Sequence, residues 1–282
     1  MDWPESYGQA WTLAAPVERS GVGLHSGTAC RVRLEPSDQP GFRLGWLDQP
    51  ATELARLHPA MVCETQLCTA LKLDQRRLAT VEHLLAALAG VGLSQVAILV
   101  EGEEVPLLDG SGLPWVEAIA EAGLCPLGER EPLQELSAPI TLQQGHSFVT
   151  ALPSAQPWIG AAIEFSQPAI GRQLFSLELT PRRFVEEIAP ARTFGFREQV
   201  EQLQAAGLIK GGDLSNALVC DGRQWLNPPL RFEQEPVRHK LLDLLGDLAL
   251  VGLPRAQVFA FRGSHGLHTA LAAALAAQFR SA

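Results

Sequence analysis

Two apolar helical segments, one in each half of the chain, resemble each other, and this repeat constrains the fold more than any other feature. Residues 81–85 read Val-Glu-His-Leu-Leu and residues 237–241 read Val-Arg-His-Lys-Leu, and each segment reaches a Gly-Leu pair before a predicted strand. A duplicated unit would place His83 and His239 in equivalent positions, and a pseudo-twofold relation would bring them together. Chance similarity between short apolar helices would explain the same pattern.

Hydrophobic periodicity predicts strands and helices in both halves. Residues 29–34 alternate with a period of two, as a half-buried strand does. Residues 80–89 predict a helix that Thr80 caps and that Glu82 supports in its first turn. The other predicted elements are strands at 96–100, within 140–179 and at 256–261, and helices at 115–122, 197–206, 236–251 and 268–279. The Pro- and Glu-rich stretch from Pro126 to Pro139 lacks apolar periodicity, so it predicts a domain linker.

Composition limits the class of protein. The 282 residues are 46% hydrophobic and 19% charged, which is enough for one large domain or two ordinary ones. The net charge of -9 and the lack of a Lys/Arg stripe predict no nucleic-acid partner. The longest apolar runs, such as residues 96–100, are far short of the ~20 residues that a transmembrane helix needs. Residues 1–6 do not resemble a signal peptide, and five cysteines without a Cys-x-x-Cys pair favour a reducing, cytoplasmic compartment.

His239 and Asp243 lie four residues apart on a predicted helix, which places both side chains on one face, one turn apart. Zinc accepts imidazole nitrogen and carboxylate oxygen, so the pair could supply two ligands. Asp247 continues this face by another turn, where carboxylates often orient a ligand or a catalytic histidine. An ordinary solvated His/Asp pair has the same spacing, and the spacing alone favours that interpretation.

Glu82 and His83 are adjacent in the first turn of a predicted helix, where the helix dipole favours a carboxylate. Neighbours on a helix diverge, so one could bind metal while the other reaches the attacking water. His265 follows Gly263 and Ser264 just after a predicted strand, a common place for a catalytic side chain. Stabilisation of a helix start by Glu82 and an ordinary turn histidine at 265 are the alternatives.

Two loops are rich in glycine. Residues 21–27 read Gly-Val-Gly-Leu-His-Ser-Gly and match neither a dinucleotide nor a P-loop pattern. Residues 207–212 read Gly-Leu-Ile-Lys-Gly-Gly and suit either an anion cradle or a simple turn. Cys63 and Cys68 are too far apart for the usual zinc hairpin, so their spacing indicates a structural or incidental role.

Taken together, these segments resemble one family, the UDP-3-O-acyl-N-acetylglucosamine deacetylases, which are zinc amidases of bacterial lipid A synthesis. The resemblance extends from Gly21 to about Leu275, and the motifs occur in the family's order. The motifs are Gly-Val-Gly-Leu-His-Ser-Gly at 21–27, Thr-Val-Glu-His-Leu-Leu-Ala-Ala-Leu at 80–88, Glu-Val-Pro-Leu-Leu-Asp-Gly-Ser at 104–111, Ala-Arg-Thr-Phe-Gly-Phe at 191–196, Gly-Leu-Ile-Lys-Gly-Gly at 207–212, and Leu-Arg-Phe-Glu at 230–233 followed by Val-Arg-His-Lys-Leu-Leu-Asp at 237–243. Each motif alone is weak evidence, whereas six in order make chance agreement very improbable.

The resemblance implies a role for each matching residue. Zinc would be held by three ligands: His83, His239 and Asp243. Glu82 matches the general base, His265 matches the general acid, and Asp247 matches the carboxylate that orients the acid. Zinc would polarise the acetamide carbonyl, Glu82 would deprotonate the water, and His265 would protonate the leaving amine as acetate is released.

The resemblance also implies contacts with the substrate. Thr193 matches the residue that stabilises the tetrahedral oxyanion, and Lys240 matches a member of the catalytic group that also contacts substrate. Three further substrate contacts are implied: Phe194, Leu24 and His25. Cys68 matches a position near the metal where family members can carry a cysteine, which competes with the incidental interpretation.

The family's fold implies an α+β chain of two similar domains, each a helix layer packed on a β-sheet, with the active site at their junction. The domains would span 1–128 and 134–282, and an insert near 191–213 would line an apolar passage for the acyl chain. The implied partner is a UDP-sugar lipid substrate, and a monomer in the cytoplasm is expected.

Some positions depart from the family's pattern. Arg-Gly-Ser at 262–264 precedes His265 where Lys-Ser-Gly is common, and His268 stands where Asn is usual. Asp and Ser are exchanged within 213–215, and Pro236 replaces an aromatic residue. None of these changes removes a catalytic residue. A zinc amidase for a different N-acyl sugar and a non-catalytic zinc-binding paralogue are the competing hypotheses.

Overall fold

The computed structural model describes residues 1–49, 54–129 and 133–281. The strands of the first half are β1 (Gln9–Leu13), β2 (Val17–Val22), β3 (Ala29–Pro36), β4 (Gly41–Trp46), β5 (Ala55–Arg56), β6 (Val62–Glu64), β7 (Ala70–Leu73), β8 (Arg76–Leu78), β9 (Gln95–Glu101) and β10 (Leu124–Glu129). Its helices are α1 (Glu82–Gly90) and α2 (Leu113–Ala122), with a 3-10 turn at Pro59–Met61.

The second half has the same kinds of element in a similar order. Its strands are β11 (Ile140–Gln144), β12 (Ser147–Pro153), β13 (Trp158–Glu164), β14 (Arg172–Glu178), β15 (Phe194–Phe196), β16 (Leu218–Asp221), β17 (Gln224–Trp225) and β18 (Ala256–Phe261). Its helices are α3 (Pro181–Glu187), α4 (Arg197–Ala205), α5 (Glu235–Leu248) and α6 (His265–Ser281).

The two halves repeat one sheet topology. The first five-stranded sheet has the order β2-β3-β9-β4-β5, and the second has the order β11-β12-β18-β13-β14. Strand β9 is antiparallel to β3 and parallel to β4, just as β18 is antiparallel to β12 and parallel to β13. Because order and direction both recur, the duplication predicted from the helical repeat is confirmed at the level of topology. The predicted α+β class, with two similar sheet-and-helix halves, is confirmed as well.

Each half also inserts a small sheet before its repeated helix. The sheet β6-β7-β8 lies between β5 and α1 along the chain, and the sheet β15-β16-β17 lies between β14 and α5. Both inserts therefore end close to the start of α1 or α5, which are the helices that carry the predicted site residues.

The repeated helices α1 and α5 pack against each other at the junction of the halves. Every residue of α1 is buried, which explains why its sequence is apolar on nearly all sides. Gly246 on α5 permits the close approach, because a Cβ at this position would overlap the backbone of Glu82. The packing brings the first turn of α1 beside the middle of α5, so the two repeat-equivalent histidines become neighbours.

Some predicted boundaries are wrong. Thr80 does not cap α1, since its φ of +57° lies in the left-handed region and the helix has no side-chain cap. Helix α6 begins at His265 and not at His268, so His265 lies in a helical first turn. The predicted linker is a strand over its first part, because β10 pairs antiparallel with β1. The residues of β10 from Cys125 onwards are exposed, so this strand has no alternating apolar face by which the sequence could have indicated it. Residues 130–132 of the predicted linker lie outside the described residues.

None of the helices within the described residues combines the length and the apolar character that crossing a membrane requires.

Candidate active site

The three predicted metal ligands lie together at the junction of the halves. His83 is in the first turn of α1, and His239 and Asp243 are one turn apart on α5. Oδ1 of Asp243 lies 3.6 Å from Nε2 of His83 and 3.3 Å from Nε2 of His239. One ligand atom from each residue lies within 4.8 Å of the others, as a shared cation requires. All three side chains are buried, so the solvated-face interpretation of His239 and Asp243 is wrong. We call these residues the three-donor cluster.

Hydrogen bonding, burial and nearby charge set the protonation states of His239 and Asp243. Nδ1 of His239 donates to the carbonyl oxygen of Ala191 over 3.1 Å, so Nε2 keeps its lone pair. Burial lowers the pKa of His239 to about 3, which keeps the imidazole neutral. Burial would raise the pKa of Asp243, but its surroundings, chiefly the charged amine of Lys240, outweigh burial and hold that pKa well below its usual range. Neutral imidazole and ionised carboxylate are zinc ligands, so the donor set fits zinc.

A second group of buried residues with metal-ligand side chains consists of Asp247, His265 and His268. Nδ1 of His265 and Nδ1 of His268 lie 3.0 and 3.1 Å from the same Oδ2 of Asp247, which are hydrogen-bond lengths. Burial alone would lower the pKa of His265, but Asp247 and Glu82 outweigh burial and raise it to about 9. A histidine that carries its proton at neutral pH is a proton donor and a poor ligand, so the three-donor cluster is the better metal candidate.

Glu82 and His265, the predicted base and acid, face each other. Oε1 of Glu82 lies 3.9 Å from Nε2 of His265, and its Oε2 accepts a 3.0 Å hydrogen bond from the backbone N–H of Thr69. Burial raises the pKa of Glu82 by more than the two nearby histidines lower it. Two buried groups with raised pKa values and facing atoms form a candidate proton-transfer pair.

Cys68 lies in this neighbourhood, whereas Cys63 is exposed. Burial raises the pKa of the Cys68 thiol to about 12, and the charge of Glu82 adds to this effect. A thiol with such a pKa stays protonated at neutral pH, and the protonated form is not a nucleophile.

Lys240 and Phe194 lie beside the three-donor cluster. Nζ of Lys240 donates a 2.8 Å hydrogen bond to Oδ2 of Asp243 and lies 5.8 Å from the ring centre of Phe194. Burial would lower the pKa of Lys240, but Asp243 outweighs burial and raises it, so the amine stays charged. Phe194 packs edge-on against Phe165 and Phe196, and the three half-buried rings form an apolar surface next to the charged groups.

Thr193 lies on a segment that hydrogen bonds fix to both halves. Its N–H donates to the carbonyl oxygen of Gly110 over 2.8 Å. The preceding Arg192 forms an ion pair of 2.9 Å with the fully buried Glu235 at the start of α5. Arg231 in turn donates to Asp109 over 2.8 Å. These contacts join the motifs at 104–111, 191–196 and 230–233, although the motifs are far apart in the sequence.

The two glycine-rich loops meet each other. Gly211 N–H donates to the carbonyl oxygen of Leu24 over 3.0 Å. Gly211 has no room for a Cβ, because one would overlap the backbone of Gly23. The loop with Leu24 and His25 is also held by the buried Glu104, whose carboxylate accepts the N–H groups of His25 and Ser26 at 2.9 and 2.8 Å.

Thr80 completes this connection between the loop and the site. Thr80 lies two residues before Glu82, and its hydroxyl donates to Oε1 of Glu104 over 2.8 Å. The predicted contact residues Leu24 and His25 are therefore linked through Glu104 and Thr80 to the start of α1.

Three residues that support the site were not predicted from the sequence: Thr69, Glu104 and Glu235. Each is buried and polar, and each bonds to a residue far from it in sequence. No local pattern marks Thr69 or Glu235. Glu104 is the first residue of the motif at 104–111. A carboxylate directly before an apolar segment was the one local feature that could have indicated its role.

Glu82 and His265 face each other beside side chains that could hold a metal ion, at the junction of two similar α+β halves. Such an arrangement is typical of the active site of a metal-dependent hydrolase. The chain belongs to the UDP-3-O-acyl N-acetylglycosamine deacetylase family, whose pattern matches residues 10–277. The chain is accordingly a hydrolase that acts on an amide bond.

Individual proteins of similar sequence agree with this family. The chain is 47% identical over 268 residues to the UDP-3-O-acyl-N-acetylglucosamine deacetylase of Trichormus variabilis, covering 93% of this chain and 96% of that protein. It is 48% identical to the protein of the same name from Thermosynechococcus vestitus, covering 95% and 94%. A probable mitochondrial deacetylase of this name from Arabidopsis thaliana is 40% identical, covering 93% and 86%.

Proposed function

We propose that this chain hydrolyses the N-acetyl group of UDP-3-O-acyl-N-acetylglucosamine, a step of lipid A biosynthesis, and releases acetate and UDP-3-O-acyl-glucosamine. The observation that carries the proposal is the facing pair of Glu82 and His265 beside the three-donor cluster. Family membership supports the substrate class.

The proposed cofactor is zinc, held by the three-donor cluster. Zinc bound there would polarise the acetyl carbonyl and lower the pKa of a coordinated water. The hydrogen bond from His239 to Ala191 presets the tautomer that a ligand needs. Lys240 holds the other oxygen of Asp243, which leaves Oδ1 to face the two histidines.

Glu82 is proposed to start the reaction by accepting a proton from the attacking water. The water oxygen bonds to the acetyl carbon, and negative charge develops on the carbonyl oxygen. The Thr193 hydroxyl is proposed to donate a hydrogen bond to this oxygen, and the charged amine of Lys240 adds a favourable electrostatic contribution. The Lys240 amine is held beside Asp243 before the reaction, which reduces the reorganisation that the reaction needs.

His265 is proposed to complete the reaction as the general acid. Its Nε2 gives a proton to the amide nitrogen, the C–N bond breaks, and the free amine and acetic acid leave; the acid loses its proton to solvent. Glu82 then carries a proton that His265 lacks, and the facing atoms are 3.9 Å apart. We propose that this proton returns to His265, which stays paired with Asp247, and that the acid and the base are thereby reset.

The substrate is proposed to contact residues on both sides of the three-donor cluster: Phe194, Lys240, Leu24 and His25. The apolar rings around Phe194 suit the acyl chain, and the insert near 191–213 is proposed to line its passage.

The proposal also includes domains at 1–128 and 134–282, a monomeric state and a cytoplasmic location. Unpaired cysteines in the described residues are consistent with a reducing compartment.

The experiment is an acetate-release assay on purified protein with UDP-3-O-acyl-N-acetylglucosamine, after chelation and again after zinc is restored. The proposal expects turnover that chelation abolishes and zinc restores. Fully metallated protein that releases no acetate would contradict it, and would favour a non-catalytic zinc-binding role.

A second candidate function is a zinc amidase for another N-acyl sugar. The same assay with UDP-N-acetylglucosamine, which lacks the acyl chain, separates the two hypotheses. The aromatic surface around Phe194 predicts a clear preference for the acylated substrate, whereas equal turnover would favour the second candidate.

A further inference from the structure

Thr69 contacts both carboxylates of the proposed proton-transfer machinery. Its backbone N–H donates to Oε2 of Glu82 over 3.0 Å, and its hydroxyl donates to Oδ1 of Asp247 over 2.5 Å. Thr69 is completely buried, and it precedes strand β7 in the insert of the first half. We infer that Thr69 is a positioning residue that orients Glu82 and Asp247 together against the two ring nitrogens of His265. The inference rests on the proposed function.

Thr69 occupies one oxygen atom of each carboxylate and leaves the other oxygen atom to face His265. It binds Oε2 of Glu82, and the remaining Oε1 is the atom that faces Nε2 of His265. It binds Oδ1 of Asp247, and the remaining Oδ2 is the atom that accepts from Nδ1 of His265. One residue therefore sets the rotation of both carboxylates about a single imidazole.

Burial makes this orientation stable. A buried carboxylate oxygen without a donor is strongly unfavourable, so each carboxylate keeps the rotation in which all its partners are satisfied. For Asp247 these partners are Thr69 at one oxygen and His265 with His268 at the other. Loss of the hydroxyl would free Oδ1 to seek another donor and would turn Oδ2 away from His265.

The backbone of Thr69 is itself fixed next to the catalytic helix. Its carbonyl oxygen accepts a 3.3 Å hydrogen bond from Val81, the residue before Glu82. The N–H and the C=O of Thr69 are therefore both attached to the start of α1, and only the hydroxyl reaches across to α5. A hydroxyl side chain at this position connects the base to the carboxylate that orients the acid.

The test compares zinc-loaded wild-type protein with Thr69→Val, which removes the hydroxyl at constant shape, and Thr69→Ser, which keeps it. We expect Thr69→Val to lower kcat on the order of 10- to 100-fold with unchanged KM, as loss of a group that orients a functional residue typically does. Thr69→Ser should retain most of the wild-type kcat. Zinc content should be equal in the wild type and in both variants. Thr12→Val is the matched control, since Thr12 is a buried threonine that accepts a hydrogen bond from Ser37.

A second measurement uses metal-free protein and does not depend on turnover. The proton on Nδ1 of His265 gives a low-field NMR signal when it is shared with a carboxylate, and His265→Gln identifies the signal by its loss. Thr69→Val should shift or broaden this signal, and Thr69→Ser should keep it. If Thr69→Val fails to fold, Thr69→Ala removes the same hydroxyl without adding a methyl group to the site.

The outcomes separate this inference from the proposed function. Wild-type protein that releases no acetate contradicts the function, while the NMR comparison still decides whether Thr69 orients Asp247. A Thr69→Val protein with wild-type kcat and an unchanged His265 signal would overturn the inference. Loss of zinc in proportion to activity would also overturn it, because Thr69 would then act on the metal site.

Discussion

Nδ1 of His265 lies 3.0 Å from Oδ2 of Asp247, and this pairing determines when the proposed acid carries its proton. Burial alone would lower the pKa of His265, but Asp247 and Glu82 raise it to about 9. The protonated form is therefore complete at neutral pH and is lost as the pH rises through about 9. We expect kcat/KM to fall along a basic limb near this pH.

Asp247→Asn tests the cause of the basic limb. The amide keeps the shape and an oxygen acceptor but removes the negative charge, so the pKa of His265 should fall. The basic limb of kcat/KM should move to lower pH, which a pH profile of both proteins at equal zinc content measures. A limb at the same pH in both proteins would show that His265 is not the titrating acid.

Glu82→Gln should abolish most turnover without removing the metal. A positioned general base typically contributes 10²- to 10⁴-fold, so a loss of kcat of roughly that size is expected. Zinc content, measured by atomic absorption, should match that of the wild type because Glu82 is not in the three-donor cluster. Glu117→Gln, on α2, is the control at a carboxylate outside the site. Full activity in Glu82→Gln would remove it from the proposed mechanism.

The sequence predicted the parts of the site that depend on helical spacing. His239 and Asp243 are one turn apart on α5, and their position on one face followed from periodicity. The spacing could not show that this face is buried, and it favoured a solvated pair. Burial comes from α1, which packs on α5 from the other half of the chain.

Contacts between distant segments could not be predicted from local patterns. The pairing of Thr69 with Asp247 and of Arg192 with Glu235 depends on how the two halves dock. The repeat of His83 and His239 predicted that the halves are related, and the shared strand order confirms it. The predicted start of α1 was wrong because the residue before this helix is Val81, and no side chain caps it. The predicted start of α6 was wrong because Ser264 caps the helix, with its Oγ accepting the N–H of Leu267 over 3.3 Å.

Removal of a proposed metal ligand should remove the metal. We expect about one zinc per chain in the wild type, as a single three-donor site implies, and His83→Ala and His239→Ala should lose most of it. His146→Ala is the control, since His146 is exposed in the turn between β11 and β12. His268→Asn should keep its zinc, because His268 belongs to the hydrogen-bonded group around Asp247. Zinc loss in His268→Asn with retention in His83→Ala would move the metal to that second group.

Glu104→Gln should weaken substrate binding more than chemistry. Glu104 accepts the N–H groups of His25 and Ser26. In Glu104→Gln an NH₂ group replaces one carboxylate oxygen, so one of these N–H donors would meet another donor and lose its acceptor. The loop with Leu24 and His25 should loosen, so KM should rise by about tenfold while kcat changes less. This pattern is expected when the lost contacts bind the substrate equally well in the ground state and in the transition state. Glu103→Gln is a matched control, because Glu103 is the exposed neighbour. A selective fall in kcat would contradict a role confined to the loop.

Gly263 and His268 should depend on each other. A Cβ at Gly263 would overlap Nε2 of His268 and would lie 3.1 Å from Cβ of Ala260. Gly263→Ala should therefore displace the His268 ring from Asp247 and lower kcat. His268→Asn keeps an N–H donor near the position of Nδ1 but lacks the far ring nitrogen, so it should retain most activity. In the His268→Asn protein, Gly263→Ala should lower kcat much less than it does in the wild type. The kcat values of the wild type, the two single variants and the double variant form a double-mutant cycle. Equal losses in both backgrounds would show that Gly263 acts through Ala260 or the backbone and not through His268.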